Sequence, residues 1–266
     1  MTPLPFRWLG DGFEPLRPRL ADKQYIVDKI TRMGEPPARS YLPPDGTVPD
    51  FTWLPGPYDK VHPAPYKFTE HRALLNGSAT LAGPGLPYNV EAARKLLAEA
   101  GYPDGKGFPR LPLLFNTNGA TRAKIVQVLQ QQWKKTLNLD FETQGVEGKI
   151  YRNFLTKKDY AIAPVAWYGD YPEITTFTDK YLSTSLQNEA NWINKEYDDL
   201  CDRATREGDA AKRVQLLSRA EHLLDTEVPI IPIYHYVNVT LSRDNVHGVN
   251  PNPRNLTFFK GVWVER

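Results

Sequence analysis

The residues best suited to chemistry lie together in the stretch 167–173, which reads Trp-Tyr-Gly-Asp-Tyr-Pro-Glu. It holds the carboxylates Asp170 and Glu173, and the rings of Trp167, Tyr168 and Tyr171 flank the first of them. A carboxylate among aromatic rings can bind an ammonium group through charge pairing and cation–π contact. The stretch is therefore suited to a ligand-binding site centred on Asp170.

Two other interpretations of the same residues remain open. Asp often stabilises a turn by bonding back to its own backbone, which would make Asp170 purely structural. Asp170 and Glu173 could instead form a carboxylate pair for hydrolysis, although nothing in a turn fixes their separation. No nucleophile, base and orienting group can be assembled from the sequence, so we expect no enzymatic activity.

The predicted secondary structure places Asp170 at the end of a strand. The segment 160–167 is an apolar run of strand length, and Gly169 and Pro172 terminate it. In open α/β sheets, ligands collect outside the carboxyl ends of the strands. The location of Asp170 therefore suits a binding site.

Strands and helices alternate in the middle of the chain, which predicts an α/β fold with a mostly parallel sheet flanked by helices. Strands are predicted at 6–9, 111–116, 139–143, 160–167 and 230–241, and helices at 21–33, 90–100, 120–137, 146–155, 195–206 and 210–225. Between them, 34–88 is rich in proline and aromatic residues and is expected to be an ordered loop packed on the domain.

Composition excludes several classes of function. A formal net charge of +2 gives no broad electrostatic footprint for nucleic acid. The single cysteine, Cys201, cannot form an internal disulfide, and the five histidines lack the spacing of a zinc site, so no metal or cofactor is expected. No apolar run is long enough for a transmembrane helix, and the first residues lack the layout of a signal peptide.

Several stretches resemble the extracytoplasmic solute-binding proteins of ABC importers, in the oligopeptide- and dipeptide-binding family. They follow one another in family order over nearly the whole chain. These stretches are 21–38, 87–105, 159–172 and 211–239.

The resemblance implies a type II periplasmic-binding-protein fold, a two-lobed clamshell that closes on a peptide and delivers it to an ABC permease. Asp170 matches the aspartate that pairs with the peptide's α-ammonium, and Trp167, Tyr168, Gly169 and Tyr171 would line the site. The peptide backbone would add strand-like hydrogen bonds. A periplasmic or extracytoplasmic location follows from the same resemblance.

The chain departs from the family pattern in ways that qualify this expectation. It has about half the usual length, so 1–241 would be the C-terminal lobe, 242–266 a tail that crosses to the other lobe, and the N-terminal lobe would be missing. The Arg-x-Ala-Leu signature becomes Arg-Pro-Arg-Leu at 17–20, and Pro164 stands where some peptide binders carry an Arg. An open half-site predicts weak binding. Loss of binding in favour of protein contacts is the alternative, and exposed interlobe surface would favour a homodimer.

Overall fold

A computed structural model of the chain describes residues 21–38, 40–42, 88–171, 174–237, 239, 241–249 and 258–266. The predicted strand at 6–9, Glu173 and most of the predicted loop at 34–88 lie outside these residues. The helices are α1 (Lys23–Tyr25, continued by a π-helical turn, Ile26–Thr31), α2 (Val90–Glu99), α3 (Ala120–Leu137), α4 (Gly148–Lys157), α5 (Thr175–Thr178), α6 (Lys195–Arg206) and α7 (Ala210–Glu227). The strands are β1 (Leu111–Asn116), β2 (Phe141–Val146), β3 (Val246–His247) and β4 (Trp263–Val264).

The predicted parallel pairing is present between β1 and β2, which run in register from Leu111 opposite Phe141 to Asn116 opposite Val146. The helix α3 connects them and packs on both strands. Sequence predicted β1 and α3 with their exact bounds, whereas β2 begins and ends later than expected. The helix α4 also starts later than expected, because Glu147 caps it by accepting a hydrogen bond from the Lys149 N–H at 2.8 Å.

The segment 160–167 is not the continuous strand that its composition predicts. It joins β1 through one parallel bridge, Leu113 with Ile162, in which the Leu114 N–H donates to the Ile162 carbonyl at 2.9 Å. Pro164 follows two residues later and has no N–H for a ladder. Its carbonyl accepts a hydrogen bond from the Tyr151 hydroxyl instead. The predicted parallel direction of this segment is confirmed, and the predicted length of the strand was wrong.

The strongest β signal, at 230–241, also gives a bridge and not a strand in the described residues. Tyr234 pairs antiparallel with Pro37. The Ala38 N–H donates to the Ile233 carbonyl, and the His235 N–H donates to the Pro36 carbonyl, both at 3.0 Å. Proline residues in both paired segments limit the ladder to this contact. The bridge nevertheless ties the beginning of the described chain to its C-terminal part.

Two hydrophobic clusters form the core of the described residues. In the first, α2 and α3 cover the β1–β2 pair. In the second, α6 packs on α7. The buried members of the first cluster are Ala93, Leu97, Leu113, Val126, Trp133, Leu137, Leu139 and Phe141. Those of the second are Tyr181, Tyr197, Leu200, Cys201, Ala204, Leu216, Leu217, Ala220 and Leu224.

A buried carboxyl on α7 holds the segment that follows α1. Glu221 is fully buried, and its Oε1 accepts a hydrogen bond from the Leu42 N–H at 2.9 Å. Burial raises the pKa of Glu221 to about 8, against the opposing effect of that hydrogen bond. Asp225, one turn later, has its pKa raised to about 6 by burial.

We expect this burial to make stability fall as the pH rises toward 8. Because the folded-state pKa of Glu221 is raised to about 8, its contribution to stability is full below the unfolded pKa and is lost as the pH approaches 8. Between pH 6.5 and 7.5 the free energy of unfolding should decrease by about 1 kcal/mol in urea titrations. The Glu221→Gln variant should lose this slope. Asp225, with a pKa of about 6, titrates mostly below this window. His235, whose pKa burial lowers from 6.5 to about 4, gives a smaller slope of opposite sign that is the same in both proteins. Equal slopes in the two proteins would contradict the assignment.

Candidate functional site

The predicted site lies beyond the carboxyl edge of the β1–β2 pair. The ends of these strands are joined there, since the Thr117 N–H donates to the Val146 carbonyl at 2.9 Å. The segment that bridges β1 at Ile162 runs in the same direction and carries Asp170 past this edge. The bridge has the expected parallel direction, although it is the one backbone connection of this segment to β1 among the described residues.

Asp170 is exposed, and its backbone is fixed by a neighbour in α5. The Asp170 N–H donates to the hydroxyl of Thr176 at 2.8 Å. Thr176 itself is buried. The exposed residue thus has a defined backbone position, which suits a group that binds an ammonium ion.

Trp167 is half-buried and is held by contacts on two sides. Its indole N–H donates to the Thr176 carbonyl at 2.6 Å. The Nζ atom of Lys180 lies 4.7 Å from the centroid of the ring. Thr176 therefore contacts both predicted site residues, Trp167 through its carbonyl and Asp170 through its hydroxyl.

Tyr168 is 57% exposed and belongs to an aromatic group that the sequence analysis missed. Its ring stacks on Tyr236, with centroids 5.0 Å apart and an angle of 29° between the planes. Tyr236 in turn meets Tyr234 edge to face at 5.0 Å. Burial and the neighbouring Tyr236 raise the pKa of Tyr168. The sequence could indicate only that Tyr234 and Tyr236 share one face, because residues two apart in an extended chain do so.

Gly169 and Tyr171 complete the predicted set. A Cβ atom at Gly169 would lie 3.2 Å from the Thr176 methyl group, so glycine permits close approach of this segment to α5. Tyr171 is exposed, and its hydroxyl lies 3.2 Å from the hydroxyl of Thr175. The structure thus brings all five predicted residues together along one segment braced against α5.

The described residues offer no metal centre and no membrane span. They contain no group of three or more His, Cys, Asp or Glu side chains that could hold a metal ion. No helix in the described ranges is both long and apolar enough to cross a membrane. A cleft of about 450 Å³ is lined by none of the five predicted residues, although the hydroxyl of Thr175 in its wall contacts that of Tyr171. It is lined by Thr175, Asp179, Thr205, Glu207, Gly208, Ala210 and Arg213.

Comparison with known families identifies the class of the protein. Residues 20–189 match the family described as bacterial extracellular solute-binding proteins, family 5 Middle. The class is thus the bacterial extracellular solute-binding proteins. The chain belongs to family 5 of that class.

Relatives of known name agree with this assignment. The oligopeptide-binding protein OppA of Bacillus subtilis is 33% identical over 176 residues, which cover 66% of this chain and 32% of OppA. The periplasmic oligopeptide-binding protein OppA of Salmonella typhimurium is 28% identical over 246 residues, which cover 91% of this chain and 40% of that protein. The chain therefore spans less than half the length of these relatives.

Solved structures confirm the expected fold. The murein tripeptide binding protein MppA of Escherichia coli gives a TM-score of 0.71 at 27% identity, covering 96% of this chain and 45% of MppA. OppA of Haemophilus influenzae, in complex with RPPGFSPFR, gives 0.70 at 25% identity, covering 95% of this chain and 45% of that protein. The architecture is the α/β fold of type II peptide-binding proteins.

We expect the Thr176 hydroxyl to contribute measurably to the order of the site. Thr176→Val keeps the shape of the side chain but leaves the Asp170 N–H without this acceptor. The free energy of unfolding should fall by about 1–2 kcal/mol, and exchange of the Asp170 amide hydrogen should accelerate. The matched control is Thr205→Val, since the Thr205 hydroxyl donates to the Cys201 carbonyl within α6. Slow, unchanged exchange at Asp170 in Thr176→Val would count against this role.

Proposed function

We propose that this chain binds peptides without catalysing a reaction, as part of uptake through an ABC importer. Asp170 pairs with the α-ammonium group of the peptide, and Trp167, Tyr168, Gly169 and Tyr171 line the site. The ABC permease and the extracytoplasmic location belong to the same proposal, which the names and the family of the relatives support.

The observation that carries the proposal is the exposed carboxylate of Asp170 at the carboxyl edge of the sheet, next to the exposed rings of Tyr168 and Tyr171. A charged group on a backbone fixed by Thr176 is suited to a ligand with a cationic end. The stacked pair of Tyr168 and Tyr236 adds a flat apolar surface beside it. Tyr236 therefore joins the proposed site.

Affinity should be low for the chain by itself. An ion pair that remains open to water contributes about 0–1 kcal/mol, and the site described here is open on the side of Tyr168, Asp170 and Tyr171. Deep burial of the ligand would need further surface to cover it. Sub-micromolar binding to the isolated chain would overturn this part of the proposal.

Peptide binding can be tested by thermal stability, because a ligand that binds only the folded state raises the melting temperature. Peptides of two to five residues at millimolar concentration should raise it, and the same peptides with an acetylated N-terminus should not, since acetylation removes the ammonium charge. Asp170→Asn should weaken binding by up to about fivefold, the range of an exposed ion pair.

The control for Asp170→Asn is Asp140→Asn, which removes a surface carboxylate that lies 3.8 Å from Arg110. It should bind peptides as the wild type does. Equal stabilisation by free and acetylated peptides would reject Asp170 as the ammonium anchor. If no peptide stabilises the chain at all, the alternative of a protein-interaction module replaces peptide binding.

One observation favours that second function. Large apolar side chains are exposed near the C-terminus, among them Phe259 at 75% and Trp263 at 56%. Exposed apolar surface of this kind commonly marks a protein interface. A homodimer formed through such surface is a form of this alternative.

We expect the isolated chain to self-associate if this surface is its interface. Sedimentation equilibrium should then show a mass that rises with concentration, and the combined Phe259→Ser and Trp263→Ser variant should remain a monomer. The control is Leu186→Ser, which changes another exposed apolar residue in a different part of the chain. A wild-type chain that stays monomeric at millimolar concentration would exclude the homodimer.

A further inference from the structure

A buried lysine lies directly behind the proposed site. The Lys180 side chain is 1% exposed and forms an ion pair with Glu189. Its Nζ also donates to the Gln187 carbonyl at 2.7 Å. Two aromatic rings lie close to the amine, since Nζ is 4.7 Å from the centroid of Trp167 and 5.4 Å from that of Tyr181.

The burial of Lys180 needs a physical explanation, since lysine is almost never fully buried unless it is paired. Burial lowers the pKa of Lys180, and the bond to Glu189 opposes this effect. The position of the amine, between a carboxylate and the face of an indole, is the arrangement in which a cation interacts with an aromatic ring. In water-excluded surroundings this interaction is stronger than at an exposed site.

The partner of Lys180 is itself held in place. The Glu189 carbonyl accepts a hydrogen bond from the Tyr160 hydroxyl, and the neighbouring Asn188 carbonyl accepts one from Lys158 at 2.5 Å. Asn188 is buried, and its amide donates to the Trp192 carbonyl at 2.7 Å. These hydrogen bonds therefore hold in place the loop that carries Glu189, the partner of Lys180 in the ion pair.

We propose that Lys180 is a positioning residue that sets the orientation of the Trp167 indole and, through it, the geometry of the site around Asp170. The α5 helix and the turn after it make two contacts with this ring. The Thr176 carbonyl accepts a hydrogen bond from the indole N–H, and the Lys180 amine lies over the face of the ring. Thr176 also holds the Asp170 N–H. The effect on ligands rests on the proposed peptide binding, whereas the effect on Trp167 does not.

The orientation of Trp167 can be followed through its indole N–H signal in ¹H–¹⁵N NMR spectra, identified by its loss in Trp167→Phe. The test variant is Lys180→Met with Glu189→Gln, which removes both charges and leaves no unpaired buried carboxylate. The matched control is Lys195→Met with Asp199→Asn, an exposed ion pair whose Nζ and Oδ2 atoms are 2.8 Å apart. All measurements are made without peptide.

We expect the Trp167 signal to shift and broaden in the test variant and to stay in place in the control. In the single variant Lys180→Arg it should stay close to its wild-type position, since arginine also binds an aromatic face. An unchanged Trp167 signal in the folded test variant would overturn the proposal. A general loss of stability would affect all the indole signals of the folded protein alike, so it can be told apart from a change at one ring.

A reciprocal measurement covers the case in which the test variant does not fold. In the wild type, the ring current of Trp167 should shift the Lys180 methylene protons upfield, and Trp167→Leu should abolish the shift. Absence of any upfield-shifted lysine signal in the wild type would contradict the contact. Where peptides bind, the test variant should bind them about twofold to fivefold more weakly, within the range of the exposed ion pair whose geometry it disturbs. Unchanged affinity would reject the link to the site.

Discussion

The candidate site depends on the contacts that hold the segment after Ile162, which has a single backbone bridge to the sheet. Beyond Ile162, Pro164 prevents further pairing with β1, so side chains must supply the missing restraints. Tyr151 holds the Pro164 carbonyl, and Thr176 holds both the Trp167 indole and the Asp170 N–H. Each of these bonds is local and directional, and together they replace the ladder that a regular strand would have.

Local rules explain why the helices were predictable. Asn89, Asn194 and Asp209 each accept a hydrogen bond from the N–H three residues on, which fixes the starts of α2, α6 and α7 where the capping preferences place them. The bounds of β1 and α3 were also predicted exactly. Besides the shifted bounds of β2 and α4, the larger errors fall on 160–167 and 230–241. Apolar composition indicated strands there, but Pro164 and the prolines at 36, 37 and 232 limit hydrogen bonding.

The site was predictable only as far as it is contiguous in sequence. The five predicted residues share one segment, so their types and order were enough to bring them together. The stacking of Tyr236 on Tyr168 is a long-range contact that no local pattern specifies. Lys180 was missed for a different reason. A lysine in sequence looks like a surface residue, and its burial follows from Glu189 and the ring of Trp167.

The two sides of the site contribute different kinds of free energy. The buried side, with Lys180, Glu189 and Thr176, is already ordered in the chain by itself, so binding need not pay again to fix Trp167 or the Asp170 backbone. The strength of the Asp170 charge depends on the other side, because an ion pair gains strength as water is removed from it. Under the proposed function, preorganisation accounts for selectivity toward an ammonium group, whereas high affinity requires a surface that covers Asp170.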